Sequence, residues 1–241
     1  MLLPVFLSFQ QGIPQIRAKH EPGGSRGLQA SEYRLEERRG FSPGLRYPYP
    51  REQTMEPDIA ELENQMTAVE ASIQAFTSGL SEAQATTQPP DNSWSVAGCL
   101  DHLARTNRAY LANMLTAAES ARARKKMRRR PAKPSILGRF FVSLLEPPVK
   151  PGRKIKAPAT IHPPATVSLA EASASFRESQ QEIRTFLHAN ADLDLARVTF
   201  RNPFIPGIRF SLATGLCNLL AHERRHLWQA QRAIDSINIQ S

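Results

Sequence analysis

From Met55 onward, apolar residues recur with the 3.6-residue period of an amphipathic helix. Ile59, Leu62, Met66, Val69, Ile73 and Phe76 follow one another at spacings of 3, 4, 3, 4 and 3, and predict a first helix. Pro57 suits its first turn, and Gly79 stands where it should end. A second helix is predicted after Pro89-Pro90-Asp91-Asn92-Ser93, with Asn92 or Ser93 as the cap. Its inward face reads Val96, Leu100, Leu103, Asn107, Tyr110 and Met114, and it runs to about residue 120. The third starts at Ser168-Leu169-Ala170-Glu171, a sequence of capping-box form. Leu169, Ala172, Phe176, Ile183 and Leu187 give it a core face, and it ends near Asn190. The fourth spans about Ser211 to Ser236, with Leu212, Leu216, Leu219, Leu220, Leu227, Ala230 and Ile234 inward.

Four amphipathic helices of roughly 22–27 residues predict an all-α fold, a four-helix bundle. Helices 2 and 3 are separated by nearly 50 residues, too many for a tight hairpin. The bundle is therefore expected to have a long crossover between helices 2 and 3. Within it, Ile136-Leu-Gly-Arg-Phe-Phe-Val-Ser-Leu-Leu145 is apolar enough for a short helix packed on the bundle. The flanking cations leave contact with a membrane surface as the alternative. Ten residues with Arg139 inside are too few to span a bilayer. No strand is predicted anywhere.

Charge changes this picture once it is located. The 241 residues carry 31 Lys+Arg and 22 Asp+Glu, a net +9. Residues 122–156 alone hold 13 basic and 1 acidic side chains, and residues 1–54 hold 8 and 5. The remainder is a net −6, so basicity belongs to a connection and not to the predicted bundle. Fourteen of the 19 prolines fall in 1–54 and 131–164. This defines a basic, Pro-rich connection over 122–165 and a disordered N-terminal extension over 1–54. The extension lacks the features of a signal peptide, and Met55 is the expected biological start. Arg122-Ala-Arg-Lys-Lys-Met-Arg-Arg-Arg130 has no aromatic residue for base stacking, so no specific nucleic-acid partner is expected. A run of 18 apolar residues is absent, so no transmembrane segment is expected. Two cysteines in a chain of this length fit a reduced, cytoplasmic protein.

The chemistry concentrates in His222-Glu223-Arg224-Arg225-His226. Histidines at i and i+4 share a helix face and can reach one metal ion. The string also satisfies H-E-x-x-H, the signature of zinc peptidases with glutamate as general base. Only 15 residues follow His226, none of them His or Glu, and no predicted strand would hold a peptide substrate. Any third ligand must then come from upstream. Of His20, His102, His162 and His188, His102 in the middle of helix 2 is best placed, with Cys99 one turn earlier as a fallback. Cys99 and Cys217 otherwise read as small buried hydrophobes. Asp101 is a candidate to orient a ligand imidazole, and Glu223 a residue behind the ligands or a surface partner of the arginines. Trp94 and Trp228 read as core aromatics, with lining of the pocket as the alternative.

Trp94-Ser-Val-Ala-Gly98-Cys-Leu-Asp-His102-Leu resembles the W-S-x-x-E-x-x-x-H-L segment of the DinB-like (YfiT-like) metalloenzyme family. His222-x3-His226-x2-Gln229 is similar to that family's final-helix motif. Lys156–Pro163 and Asn202-Pro203-Phe204 fall where relatives have comparable short motifs. The resemblance covers about 55–241, with one departure: Gly98 stands where the family often has Glu. It implies a four-helix bundle holding a divalent metal, zinc or nickel foremost, on His102, His222 and His226. It further implies a transferase acting on a small electrophile with a low-molecular-weight thiol whose pKa the metal lowers. A non-catalytic metal-binding bundle and a metal-dependent hydrolase stay open as alternatives. The expected partners are a small-molecule substrate and, in a homodimer, a second copy of the chain.

Overall fold

The computed structural model describes residues 55–90, 93–148 and 157–238. The expectations for 1–54 lie outside these residues. Within them the fold is all-α, interrupted by one small hairpin: α1 (Pro57–Thr77), α2 (Glu82–Thr86), α3 (Val96–Ala123), α4 (Ile136–Ser143), α5 (Leu169–Ala189), β1 (Thr199–Arg201), β2 (Arg209–Ser211) and α6 (Leu212–Asn238). The four long helices match the periodic segments to within a few residues.

Local chemistry sets their ends. The α3 cap is Ser95 and not Asn92 or Ser93: its hydroxyl accepts from the Gly98 N–H at 3.1 Å. Ser168 and Glu171 form the predicted capping box on α5. A second box, Ser81 with Gln84, starts the short α2, which the helical period had not marked because one turn carries no period. At the end of α3, Lys125 takes φ +52° and the Lys126 N–H returns to the Ala121 carbonyl, closing the last turn.

α3 packs against both α5 and α6, and α1 packs against the same two helices. Their apolar faces meet in one core that includes Leu62, Met66, Leu103, Met114, Phe176, Leu187, Leu216 and Leu219. Each such side chain contributes about 1.5–3 kcal/mol relative to exposure, which is what holds the long helices together. Phe76, Leu169 and Leu227, read as inward, are only half-buried at its edge.

The hairpin corrects the expectation of no strands. β1 and β2 pair antiparallel with Phe200 opposite Phe210, and both rings are buried beneath the adjoining helices. Between the strands, Asn202 Oδ1 accepts from the N–H groups of Phe204 and Ile205, and Gly207 adopts φ +78°. Three-residue strands are too short for alternation to stand out, though Asn202-Pro203 and Pro206-Gly207 were turn signals.

The basic connection is partly pinned to the acidic body. Arg122 pairs with Asp192, Arg128 with Asp58, and Arg130 with Asp194. Met127 forms an isolated bridge with Leu193. Beyond it, α4 docks through Gly138 and Phe141. A Cβ on Gly138 would stand 2.4 Å from Thr214 Oγ1 of α6, so only glycine permits this approach. The Phe141 ring meets Phe210 at 5.1 Å. No helix among the described residues is long and apolar enough to cross a membrane.

Candidate metal centre

α3 and α6 present three imidazoles to one point. His226 Nε2 lies 3.1 Å from His222 Nε2, and His102 Nε2 lies 3.4 Å from the same atom. The helical spacing of 222 and 226 explains the first distance, and the packing of α3 on α6 explains the second. His102 is 2% exposed, and its Nδ1 stands 2.7 Å from the Ile161 carbonyl oxygen. A carbonyl only accepts, so Nδ1 carries the hydrogen and the Nε2 lone pair is left facing the other two rings.

Burial keeps all three neutral. It lowers the His102 pKa, with a smaller contribution from His162. It lowers that of His222 to about 3, aided by His102 and Arg225. It takes that of His226 well below the ordinary value, aided by His222 and His102. Neutral imidazoles offer lone pairs, the state a metal ion requires. Metal–nitrogen bonds of about 2.0–2.1 Å at tetrahedral angles place ligating nitrogens about 3.3–3.4 Å apart. The spacings of 3.1 and 3.4 Å fit that edge. The cluster His102, His222 and His226 can thus hold a metal ion.

The other candidates are placed differently. Cys99 is buried in a small apolar cluster with Ala85, Val96, Ala230 and Ile234, outside the histidine set. Burial pushes its thiol up to about 12 and that of Cys217 up to about 11. Asp101 does not orient an imidazole; its carboxylate binds Arg105 at 2.6 Å, and the Ile161 carbonyl serves His102 instead. Glu223 is neither a surface partner of the arginines nor aimed at the histidines. It is 1% exposed, and its two oxygens accept from Asn107 Nδ2 and Gln180 Nε2 at 3.0 Å each. Arg224 pairs with Glu146. His162 is exposed at the site's edge, and His188 binds Glu63. His20 lies outside the described residues.

One contributor, Ile161, escaped the sequence reading, and Trp94 takes the role that was its alternative. Trp94 packs against the apolar cluster around Cys99 and also walls the site: its ring lies 4.5 Å from His102, stacks on His226 at 5.8 Å, and meets His162 edge-on at 5.8 Å. Trp228 instead faces Arg232, whose guanidinium lies 4.8 Å from its ring. Ile161 reaches His102 from a 3-10 turn (Ala159–Ile161) across 59 residues of sequence. The same loop closes on Gly98, where a Cβ would stand 3.5 Å from both Pro163 and Trp94. Trp94 opens the motif that carries the family resemblance, which was its signal; a main-chain carbonyl leaves none.

No curated protein and no solved structure matches the chain. The model of the DinB superfamily matches residues 65–230, a span that starts within α1, ends within α6 and includes all three histidines. The chain belongs to the DinB superfamily.

Proposed function

We propose that His102, His222 and His226 hold a divalent metal ion, zinc or nickel foremost, and that the protein is a metal-dependent transferase. In this reading it joins a low-molecular-weight thiol to a small electrophile. The four long helices would form the family's four-helix bundle, with the connection between α3 and α5 as its crossover. The carrying observation is the convergence of three imidazole Nε2 atoms at 3.1 and 3.4 Å, with the His102 Nε2 left as an acceptor by the bond from its Nδ1–H to Ile161.

A bound divalent ion supplies Lewis acidity, which favours deprotonation of a thiol or a water that reaches it. The chain's residues define what surrounds that chemistry. Ile161 fixes the His102 tautomer, and Trp94 forms an apolar wall over two of the rings. Neither cysteine supplies a thiolate near neutral pH, since burial holds both thiols protonated, so a sulfur nucleophile has to come from outside. Glu223 is committed to Asn107 and Gln180 and is not available as the general base of a peptidase. Free thiols at Cys99 and Cys217 fit a reduced cytoplasm.

The test is metal analysis of protein purified without a His-tag, beside His102→Ala and His226→Ala, followed by transfer assays with bacillithiol, mycothiol and glutathione on a chromogenic electrophile. Bound metal and thiol-dependent turnover, both lost in the variants, are expected. Undiminished metal in both variants would overturn the ligand set. Metal that is lost in the variants but supports no turnover with any thiol would overturn the transferase and leave a non-catalytic metal-binding protein.

A further inference from the structure

Three of the eight residues of α4 are large, apolar and turned outward: Ile136 is 80% exposed, Leu137 64% and Phe140 56%. Positions 136, 137 and 140 fall within about 100° of helix surface. The opposite side is fixed, Gly138 against Thr214 and Phe141 against Phe210. The exposed stripe is thus a rigid ridge and not a frayed segment. A contiguous apolar patch on an otherwise polar surface marks a site of interaction.

Charge decides what covers it. Arg129, Lys133 and Arg139 border the ridge in sequence and are exposed. Arg122, Arg128 and Arg130 are matched to Asp192, Asp58 and Asp194, whereas these three make no ion pair with an acidic residue among those described. In a two-fold dimer the same surface meets itself, so a second copy docked here would bring like charges together. Residues 1–54 are themselves a net +3 and are no complement either. An anionic bilayer satisfies both parts, acyl chains receiving the apolar side chains and headgroup phosphates the cations.

We infer that α4 with its flanking cations is a peripheral docking surface for anionic membranes. Ile136, Leu137 and Phe140 enter the interface, and Arg129, Lys133 and Arg139 lie at headgroup level. The protein rests on the surface through this ridge, and no helix among the described residues is long and apolar enough to cross it.

The full chain would be sedimented with phosphatidylcholine vesicles, with and without phosphatidylglycerol, across a salt series. Binding to the anionic vesicles that weakens with salt is expected, and an Ile136→Ser/Leu137→Gln/Phe140→Ser variant should partition at least tenfold less. These side chains are exposed, so its helical circular dichroism should be unchanged. If that variant does not fold, Phe140→Trp gives a second readout: its extra tryptophan emission should shift to the blue on anionic vesicles and not on neutral ones. Three results would overturn the inference: no binding to anionic vesicles, equal binding by the triple variant, or a solution dimer that the triple variant turns into monomer. Because no metal or thiol enters this experiment, its outcome is independent of the proposed activity.

Discussion

His222 and Glu223 are neighbours in the chain, yet they belong to two polar regions built on opposite rules. Glu223 sits between three helices with each carboxylate oxygen met by an amide donor, from Asn107 on α3 and Gln180 on α5. The histidine triad is as polar and nearly as deep, but its three Nε2 atoms meet only one another. A buried polar group costs free energy unless it is partnered, so a buried carboxylate with both oxygens met reads as architecture. A cluster whose ring nitrogens converge on a shared point reads as a place for something else. One helix face thus serves the putting-together of the fold, and the face about 100° away carries the candidate metal centre.

The sharpest break of this contrast is the removal of one candidate ligand. His226→Ala should lose essentially all metal by elemental analysis, since even partners behind the ligands are worth 10–100-fold in affinity. Metal should also stabilise the native protein, by about 2.7 kcal/mol at a hundred times Kd. For a body of this size that is roughly 5–10 °C in Tm. The variant should show no such rise. Equal metal-dependent stabilisation of both proteins would place the ion elsewhere.

Glu223 should behave in the opposite way. Glu223→Ala leaves the Asn107 and Gln180 donors buried without an acceptor and should cost about 2 kcal/mol in denaturant melts, with metal content unchanged. Burial raises the Glu223 carboxyl to about 7, against the pull of both donors. A carboxyl whose folded pKa lies above its unfolded value of about 4.3 contributes stability that is complete below the unfolded value and is lost as pH rises through about 7. Glu223→Gln removes the titration, and the Gln180 amide can turn its otherwise unpartnered Oε1 toward the new N–H. Its stability should therefore decline less than that of the native protein between pH 5 and 8. An equal slope in both would show that Glu223 does not titrate in that range.

The sequence exposed these two regions unequally. Long helices were legible because 21 to 28 residues repeat the same face many times over. The histidines were legible because a spacing of four is a helix-face statement in itself, and because His102 stood in the middle of a predicted helix, as the family resemblance also had it. The hairpin was not, since three residues per strand carry too little pattern. Glu223 was misread because its partners Asn107 and Gln180 become neighbours only when α3, α5 and α6 pack. Ile161 was invisible for a deeper reason: what binds His102 is a main-chain oxygen, which every residue possesses. Packing also decided α4, whose sequence fitted either a buried or an exposed helix and whose structure is both, one face on each side.

The finest test asks whether the two regions are energetically separate. Asn107 Nδ2 is shared, donating to Glu223 at 3.0 Å and to Ser179 Oγ at 3.1 Å. Ser179→Ala should cost only about 0.5–1.5 kcal/mol, because Asn107 keeps its carboxylate partner. Combined with Glu223→Gln, its effect should depart from additivity by 0.5 kcal/mol or more, since residues in one hydrogen-bond network couple. Combined with His226→Ala in the absence of metal, it should add within about 0.5 kcal/mol, because the triad and the amide network share no hydrogen bond. Coupling of similar size in both cycles, read from chemical denaturation, would mean that the covalent proximity of His222 and Glu223 ties the regions together. The histidines would then be supports of the core as well as candidate ligands, and the division between architecture and chemistry on this helix would fail.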